Sequence, residues 1–140
     1  MFDLAFLLGL NALPIHRNNM NARRILSIEY NAPVLETRNA ILRAAGYEIT
    51  SASTFYQALE RLQENRFELV LVGRSIPGVQ LRGFLELAQI KAPTARTMIL
   101  RDSSQASDFQ ADYLHDPDQG PEALLNAIRN VFVSSQAASA

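Results

Sequence analysis

The chain has 140 residues, of which 48% are hydrophobic and 19% are charged, and its formal net charge is -1. These values predict one soluble globular domain with its own core, and they exclude a disordered chain and a strongly basic nucleic-acid-binding surface. Cysteine is absent, which excludes a disulfide framework, a thiol nucleophile and a cysteine metal site. No apolar run reaches the roughly 20 residues that span a bilayer. We therefore predict a cytoplasmic protein that binds neither nucleic acid nor membrane.

The N-terminal segment differs in character from the rest of the chain. Residues Met1–Leu10 are apolar ("MFDLAFLLGL"), and no lysine or arginine precedes Arg17. Three interpretations stay open: the biological start is Met20, the segment is a short amphipathic helix, or it is a signal peptide or anchor that lacks the usual positive charge. The predicted divisions are an uncertain extension (1–19), a domain (20–134) and a flexible tail (135–140).

From Arg23 onward, short apolar runs alternate with helical patterns. The predicted strands are Ile25–Ile28, Tyr47–Ser53, Leu69–Val72, Thr97–Leu100 and a weak one at Ala111–Leu114. The predicted helices begin after Asn31, at Thr54, at Gly83 and at Pro121, and the last of them ends at Val133. The second strand is less apolar, as expected of an edge strand, whereas "LVLV" in the third is typical of a strand buried on both faces.

The first predicted helix has clear end signals. Asn31 is placed to cap it, Pro33 is allowed in its first turn, and Gly46 stops it. Helical spacing predicts that the inward positions are Val34, Ile41, Leu42 and Ala45.

Alternating strands and helices predict an α/β fold. The expected architecture is a three-layer, doubly wound, flavodoxin-like fold with a parallel five-stranded sheet in the order 2-1-3-4-5. In such sheets ligands bind at the carboxyl ends of the strands. The candidate site residues therefore follow strands 1, 3, 4 and 5: Glu29 and Tyr30, Gly73 and Arg74, Arg101 and Asp102, His115 and Asp116.

From about Arg23 to Phe132 the chain resembles the receiver domain of bacterial response regulators. The resemblance is carried by the order and spacing of "RRILSIEYNAPVLETRNAILRAAGYEITSAS", "ERLQENRFELVLV", Ile76-Pro77-Gly78, "ADYLHDP" and "EALLNAIRNVF". The segment "RDSSQASDFQ" is shorter than the family's usual stretch between strands 4 and 5. The family's helix 4 is therefore expected to be shortened or lost.

Receivers catalyse their own phosphorylation on an aspartate after strand 3. They use an acidic pair after strand 1 for Mg²⁺, a threonine or serine after strand 4 and a lysine after strand 5. Carried over by position, these places fall on Glu29 and Tyr30, Gly73, Arg101 and Asp116. Glycine cannot accept a phosphoryl group, since an acyl phosphate needs a carboxylate. The resemblance thus implies a degenerate site with no catalytic, cofactor-binding or metal residues, and Mg²⁺ binding is not expected.

The charges that remain at this edge allow two interpretations. In one, Arg101 pairs with Glu29 or Asp116 and takes over the electrostatic role of the metal, because its planar fork suits a carboxylate. In the other, the charges are solvated and their pairs contribute only about 0–1 kcal/mol.

We predict a pseudo-receiver that is not an enzyme and acts by protein–protein interaction in a two-component or phosphorelay pathway. Its partner would be a histidine kinase, another regulator or a second copy of the chain. Tyr113 and His115 are the candidate partner-contact residues. Two alternatives stay open: a response regulator phosphorylated on a non-standard residue, and a regulatory domain that binds a small ligand.

Overall fold

The computed structural model describes residues 23–102, 104 and 109–139, and the side chains up to residue 134. The strands are β1 (Arg24–Ile28), β2 (Glu48–Ala52), β3 (Leu69–Val72), β4 (Arg96–Leu100) and β5 (Tyr113–His115). The helices are α1 (Ala32–Ala44), α2 (Phe55–Glu64), α3 (Gly78–Lys91) and α4 (Pro121–Ser139), with a 3-10 helix at Pro117–Gln119. The interpretations of the extension, 1–19, lie outside the described residues.

All neighbouring strands of the sheet are parallel, in the order β2-β1-β3-β4-β5. Numbered along the chain, this is the predicted order 2-1-3-4-5, with the less apolar second strand at an edge. The register aligns Ile28 with Val72 and Val72 with Ile99. The residues that follow these strands therefore meet at one edge of the sheet, as predicted.

The core has two layers, one on each face of the sheet. On one face, Leu26, Val70 and Val72 belong to a buried cluster that also includes residues of α2 and α3. On the other face, Ile25 and Leu71 belong to a cluster with residues of α1 and α4. Successive side chains of a strand point to opposite faces, and all four residues of β3 are buried. The three-layer, doubly wound prediction is confirmed.

The predicted signals at the ends of two helices are confirmed. The side chain of Asn31 accepts a hydrogen bond from the Val34 N–H at 3.3 Å, and Thr54 accepts one from the Gln57 N–H at 3.1 Å. Gly46, just beyond α1, has φ +99°, a conformation that favours glycine. Local chemistry thus fixes where α1 begins and ends.

Three predicted boundaries were wrong. Helix α3 begins at Gly78 instead of Gly83, since Pro77 lies directly before the helix with φ -60° and glycine is tolerated in a first turn. Helix α4 continues past Val133 into the predicted flexible tail, as far as Ser139. Strand β5 lies at Tyr113–His115, because its pairing with β4 aligns His115 with Leu100.

Of the four predicted inward positions of α1, only Leu42 is buried. The buried residues of this helix are Leu35, Arg38, Asn39 and Leu42. Val34, which was predicted to point inward, is 45% exposed. The helix is rotated relative to its apolar pattern, so that an arginine and an asparagine face the sheet.

The described part of the chain contains four α-helices, which fits a shortened helix 4 between β4 and β5. Residues 103 and 105–108 of that segment are outside the described ranges. None of the helices within those ranges is long and apolar enough to cross a membrane.

Candidate functional site

The residues after β1 and β3 are joined through the backbone. The Gly73 N–H donates to the Ile28 carbonyl at 2.8 Å, and the Glu29 N–H donates to the Ala52 carbonyl at 3.1 Å. These bonds extend the sheet by one residue on each strand. Glu29 is consequently held at the sheet edge with only 1% of its surface exposed.

The cation that pairs with Glu29 is Arg38, from the buried face of α1. Its Nη2 lies 3.3 Å from Oε1 of Glu29, and its Nη1 donates to the Ile28 carbonyl at 3.4 Å. Arg38 is 8% exposed. Burial lowers the pKa of Arg38 from its ordinary value, while the neighbouring Glu29 opposes that change. An arginine keeps its proton in proteins, so the pair is a buried ion pair.

The second carboxylate oxygen of Glu29 organises the loops on either side. Oε2 accepts hydrogen bonds from the Asn31 N–H at 2.9 Å and from the Ser75 hydroxyl. The Ser75 oxygen in turn accepts the Tyr30 N–H at 3.0 Å. One buried carboxylate therefore connects α1, the loop after β1 and the loop after β3.

Tyr30 lies at the outer side of this arrangement. Its hydroxyl donates to Oε1 of Gln80 on α3 at 2.5 Å, and burial raises the pKa of its phenol. It provides no carboxylate beside Glu29, and its ring packs against the core layer of α2 and α3.

Gly73 faces the ion pair directly. A Cβ built on Gly73 would overlap Oε1 of Glu29, and it would lie 2.9 Å from Cδ of Glu29 and 3.0 Å from Nη2 of Arg38. Such distances are too short for a real side chain without movement of the pair. The space into which a side chain at position 73 would project is filled by Glu29 and Arg38.

The other half of the site, after β4 and β5, is arranged differently. The Arg101 guanidinium donates to the Ile76 carbonyl and lies 5.2 Å from the centre of the Phe109 ring. Burial lowers the pKa of Arg101. Asp116 caps the 3-10 helix by accepting the Asp118 N–H at 2.9 Å. The hypothesis that Arg101 pairs with Glu29 or Asp116 was wrong, because Arg101 reaches the loop before α3 instead.

Three further charged residues at this end of the sheet are exposed: Asp102 after β4, Asp118 after β5, and Arg74 from the loop after β3. Arg74 and Asp118 form an exposed ion pair at 2.6 Å. Asp102 accepts hydrogen bonds from the backbone and the hydroxyl of Ser104, at 3.0 and 2.5 Å. For these exposed charges the second interpretation, that of solvated loop charges, agrees with the structure.

The two candidate partner-contact residues lie on β5. The Tyr113 hydroxyl accepts a hydrogen bond from Arg96 at 3.0 Å, and the residue is half-buried. His115 is 9% exposed, and its Nε2 has no hydrogen-bond partner. Desolvation lowers the pKa of His115, and Asp116 opposes the shift. Tyr113 is the more accessible of the two, and a role for either in partner contact stays a prediction.

The oxygen atoms available at the carboxyl ends of these strands do not fit a divalent cation. Such an ion needs several oxygen ligands, usually carboxylates and carbonyls. Both oxygens of Glu29 already accept protein donors, one of them the Arg38 cation. The described residues contain no group of three histidine, cysteine, aspartate or glutamate side chains that could hold a metal ion.

Two adjoining cavities lie beside the ion pair. One, of about 470 Å³, is lined by Glu29, Asn31, Arg74 and Ser75 among others. The other, of about 450 Å³, extends between α1 and the start of α4 and is lined mainly by apolar side chains such as Ile41 and Leu124. Val34, Arg38, Leu100 and Pro117 line both cavities.

The residue that sequence reasoning missed is Arg38. Its apolar neighbours in the helical pattern predicted another inward face. One indication was available: a buried carboxylate after β1 requires a cation nearby, and a first helix packed on that strand is a natural source of one.

Neither a comparison with protein-family models nor a search of curated protein sequences gives a match for this chain. Solved structures do match. A CheY-like response regulator receiver domain protein from Methanospirillum hungatei JF-1 is 24% identical, with a TM-score of 0.74, over 83% of this chain and 98% of that one. The response regulator TrrA from Thermotoga maritima, solved with Mg²⁺ and BeF, is 23% identical, with a TM-score of 0.69 and coverages of 78% and 98%.

The chemotaxis response regulator CheY4 of Vibrio cholerae is 19% identical, with a TM-score of 0.70, over 79% of this chain and 98% of that one. Nearly the whole length of each of these structures is matched. Identities this low establish the fold and not the chemistry. The chain has the fold of CheY-like receiver domains.

Proposed function

We propose that the protein is a receiver-like signalling module that does not accept a phosphoryl group on an aspartate. It would act through protein–protein contacts in a two-component or phosphorelay pathway, in the cytoplasm and without enzymatic turnover. Its fold, shared with receiver domains over most of the chain, supports the signalling role. The partner classes are a histidine kinase, another regulator or a second copy of the chain.

The observation that carries the proposal is the surroundings of Gly73. This residue directly follows β3, where the resemblance expects the phospho-acceptor, and it has no side chain to phosphorylate. The space in front of it holds the Glu29–Arg38 ion pair. Both the nucleophile and the room that it would need are therefore lacking at this position.

The alternative of a non-standard acceptor is favoured by one specific contact. The Ser75 hydroxyl donates to Oε2 of Glu29, and a carboxylate so placed can take the proton of a hydroxyl nucleophile. Arg38 on the same carboxylate opposes this role, because a neighbouring cation favours the ionised, unprotonated form of the acid.

Incubation of the full chain with acetyl phosphate, followed by intact-mass measurement, tests the proposal. We expect no gain of a phosphoryl group under conditions in which an ordinary receiver is modified. A stoichiometric gain would refute the proposal. Its disappearance in Ser75→Ala, with no effect of Ser53→Ala, would assign the acceptor to Ser75.

The partner classes can be separated by direct binding. Sedimentation of the full chain over a range of concentrations tests self-association. Titration with a histidine kinase and with a second response regulator of the same cell tests the other two classes. Binding that is unchanged by acetyl phosphate would support a role that needs no phosphorylation.

A third candidate, a small-ligand regulatory domain, is supported by the two cavities beside the ion pair. Their volumes of about 470 and 450 Å³ lie within the usual range for small-molecule sites, roughly 300–1,000 Å³. Thermal-shift screening against a set of small apolar and amphipathic metabolites would reveal binding as a raised melting temperature.

A further inference from the structure

The buried carboxylate of Glu29 is fully supplied with partners from the chain itself. Arg38 contacts one oxygen, and the Asn31 N–H and the Ser75 hydroxyl contact the other. An ionised carboxylate taken out of water needs both charge compensation and hydrogen bonds to be tolerated. Here a side chain of α1 provides the charge and the two loops provide the remaining bonds.

The guanidinium of Arg38 also lies beside position 73, where a second carboxylate that binds a metal ion would have to be. Nη2 of Arg38 would be 3.0 Å from a Cβ at position 73. The same Cβ would overlap Oε1 of Glu29, so a side chain at position 73 requires the Glu29–Arg38 pair to move. The absence of a side chain at Gly73 and the inward position of Arg38 are two parts of one arrangement.

We propose that Arg38 is a built-in cation which makes this sheet edge independent of divalent metal. The guanidinium neutralises Glu29, and Glu29 holds Ser75, whose oxygen accepts the Tyr30 N–H. The loops after β1 and β3 are thereby fixed in one conformation by residues that are always present. A bound metal ion, in contrast, could leave and release them.

This inference does not depend on the proposed function. It concerns the order of two loops and the affinity for Mg²⁺, and it would hold even if Ser75 accepted a phosphoryl group. Conversely, a protein that bound Mg²⁺ at Glu29 could still lack an acceptor aspartate. The metal titration and the acetyl phosphate experiment can therefore fail separately.

A Mg²⁺ titration of the full wild-type chain, followed by the backbone amide resonances in NMR spectra, is the primary test. We expect the amides of Tyr30, Asn31 and Ser75 to keep their positions up to millimolar MgCl₂, relative to NaCl of equal ionic strength. Saturable shifts confined to these amides would overturn the proposal. This measurement needs no variant and so does not depend on the folding of one.

Two variants test whether Mg²⁺ binding appears when Arg38 is removed. Gly73→Asp adds a second carboxylate but keeps Arg38, whereas Gly73→Asp with Arg38→Met adds the carboxylate and removes the cation. We expect MgCl₂ to raise the melting temperature of the double variant by several degrees and to leave that of Gly73→Asp unchanged. A folded double variant without any response to Mg²⁺, or an equal response of both variants, would overturn the proposal.

Arg38→Lys and Arg38→Met separate charge from packing. Lysine keeps a cation near Glu29, so the amides of Tyr30 and Asn31, which donate to Ser75 and to Glu29, should retain their protection from hydrogen exchange. Methionine fills a similar volume without charge, so exchange at both amides should accelerate by at least about tenfold, the change that a 1.4 kcal/mol loss would produce. Equal protection in the two variants would show that charge is not what fixes the loops, which would overturn the proposal.

Discussion

At the carboxyl ends of the strands, the charged residues after β1 and β3 differ from those after β4 and β5 in their burial and in their partners. After β1 and β3, Glu29 and Arg38 form a buried pair, with exposures of 1% and 8%. After β4 and β5, Arg101 binds a backbone carbonyl and Asp116 caps a 3-10 helix, while Asp118 forms an exposed pair with Arg74 from the loop after β3.

The difference follows from what covers each half. Helix α1 packs over the end of β1 and excludes water from Glu29, so its charge must be compensated by another side chain. In the β4–β5 half the carboxylates of Asp102 and Asp118 are exposed, and water can solvate them. The same residue types therefore contribute much to the free energy of unfolding where they are buried and little where they are exposed.

The largest expected effect is the loss of the buried cation. Arg38→Ala should lower the free energy of unfolding by about 3–5 kcal/mol, because it leaves Glu29 buried without a counter-charge. Arg61→Ala is the control, since Arg61 is also on a helix and, apart from a 3.4 Å bond to the Ser51 carbonyl, its charge partner is Glu64 at 3.9 Å, with side-chain exposures of 34% and 62%. That change should cost only about 0–1 kcal/mol. Urea unfolding of both variants is the measurement, and equal losses would contradict the contrast between buried and exposed pairs.

The next effect tests the close approach at Gly73. Gly73→Ala should lower the free energy of unfolding by about 1–3 kcal/mol, because the added methyl overlaps the ion pair. Gly83→Ala is the control: this glycine lies inside α3, and its added Cβ would meet nothing within 4 Å. Alanine there should stabilise the protein by about 0.5–1 kcal/mol. Opposite signs in urea unfolding support the assignment, and a neutral Gly73→Ala would refute it.

A smaller effect is expected at the loop after β3. Ser75→Ala removes the hydroxyl that donates to Glu29 and accepts the Tyr30 N–H. We expect a loss of about 1 kcal/mol, in the range of a single hydrogen bond, and faster hydrogen exchange at the Tyr30 amide. Ser53→Ala, which alters a contact with Gln57 at 3.2 Å, is the control and should leave Tyr30 unaffected. An unchanged exchange rate in Ser75→Ala would show that the bond does not hold the loop.

The smallest effect belongs to the β4–β5 half and depends on pH. Burial lowers the pKa of His115, so the unfolded chain binds this proton more readily than the folded one. Stability contributed by neutral His115 is present above its unfolded pKa, near 6.5, and is lost as the pH falls below that value. His115→Gln should therefore show a shallower decline than wild type between about pH 7 and about pH 5.5 in urea midpoints. Parallel declines would mean that His115 does not titrate with folding.

The sequence by itself determined the scaffold. Alternation of strands and helices, the unbroken "LVLV" run and the end signals Asn31, Thr54 and Gly46 are local properties of the chain, and each acts within a few residues. They predict the type of each element, and the alternation of strands and helices favours the doubly wound fold whose strand order the structure has. The same positions identified which residues would meet at the carboxyl edge, including Glu29 and Gly73.

Only the tertiary structure decided how the charges at that edge are paired. Arg38 lies on α1, nine residues from Glu29 along the chain, and its inward orientation contradicts the apolar pattern of its own helix. Arg101 was the more obvious candidate, since it follows a strand at the same edge. Which cation pairs with a buried carboxylate depends on how the helix is rotated against the sheet. It also depends on which charged groups remain accessible to water. Both are properties of the packed chain, and the resulting ion pair occupies the space that a side chain at position 73 would need.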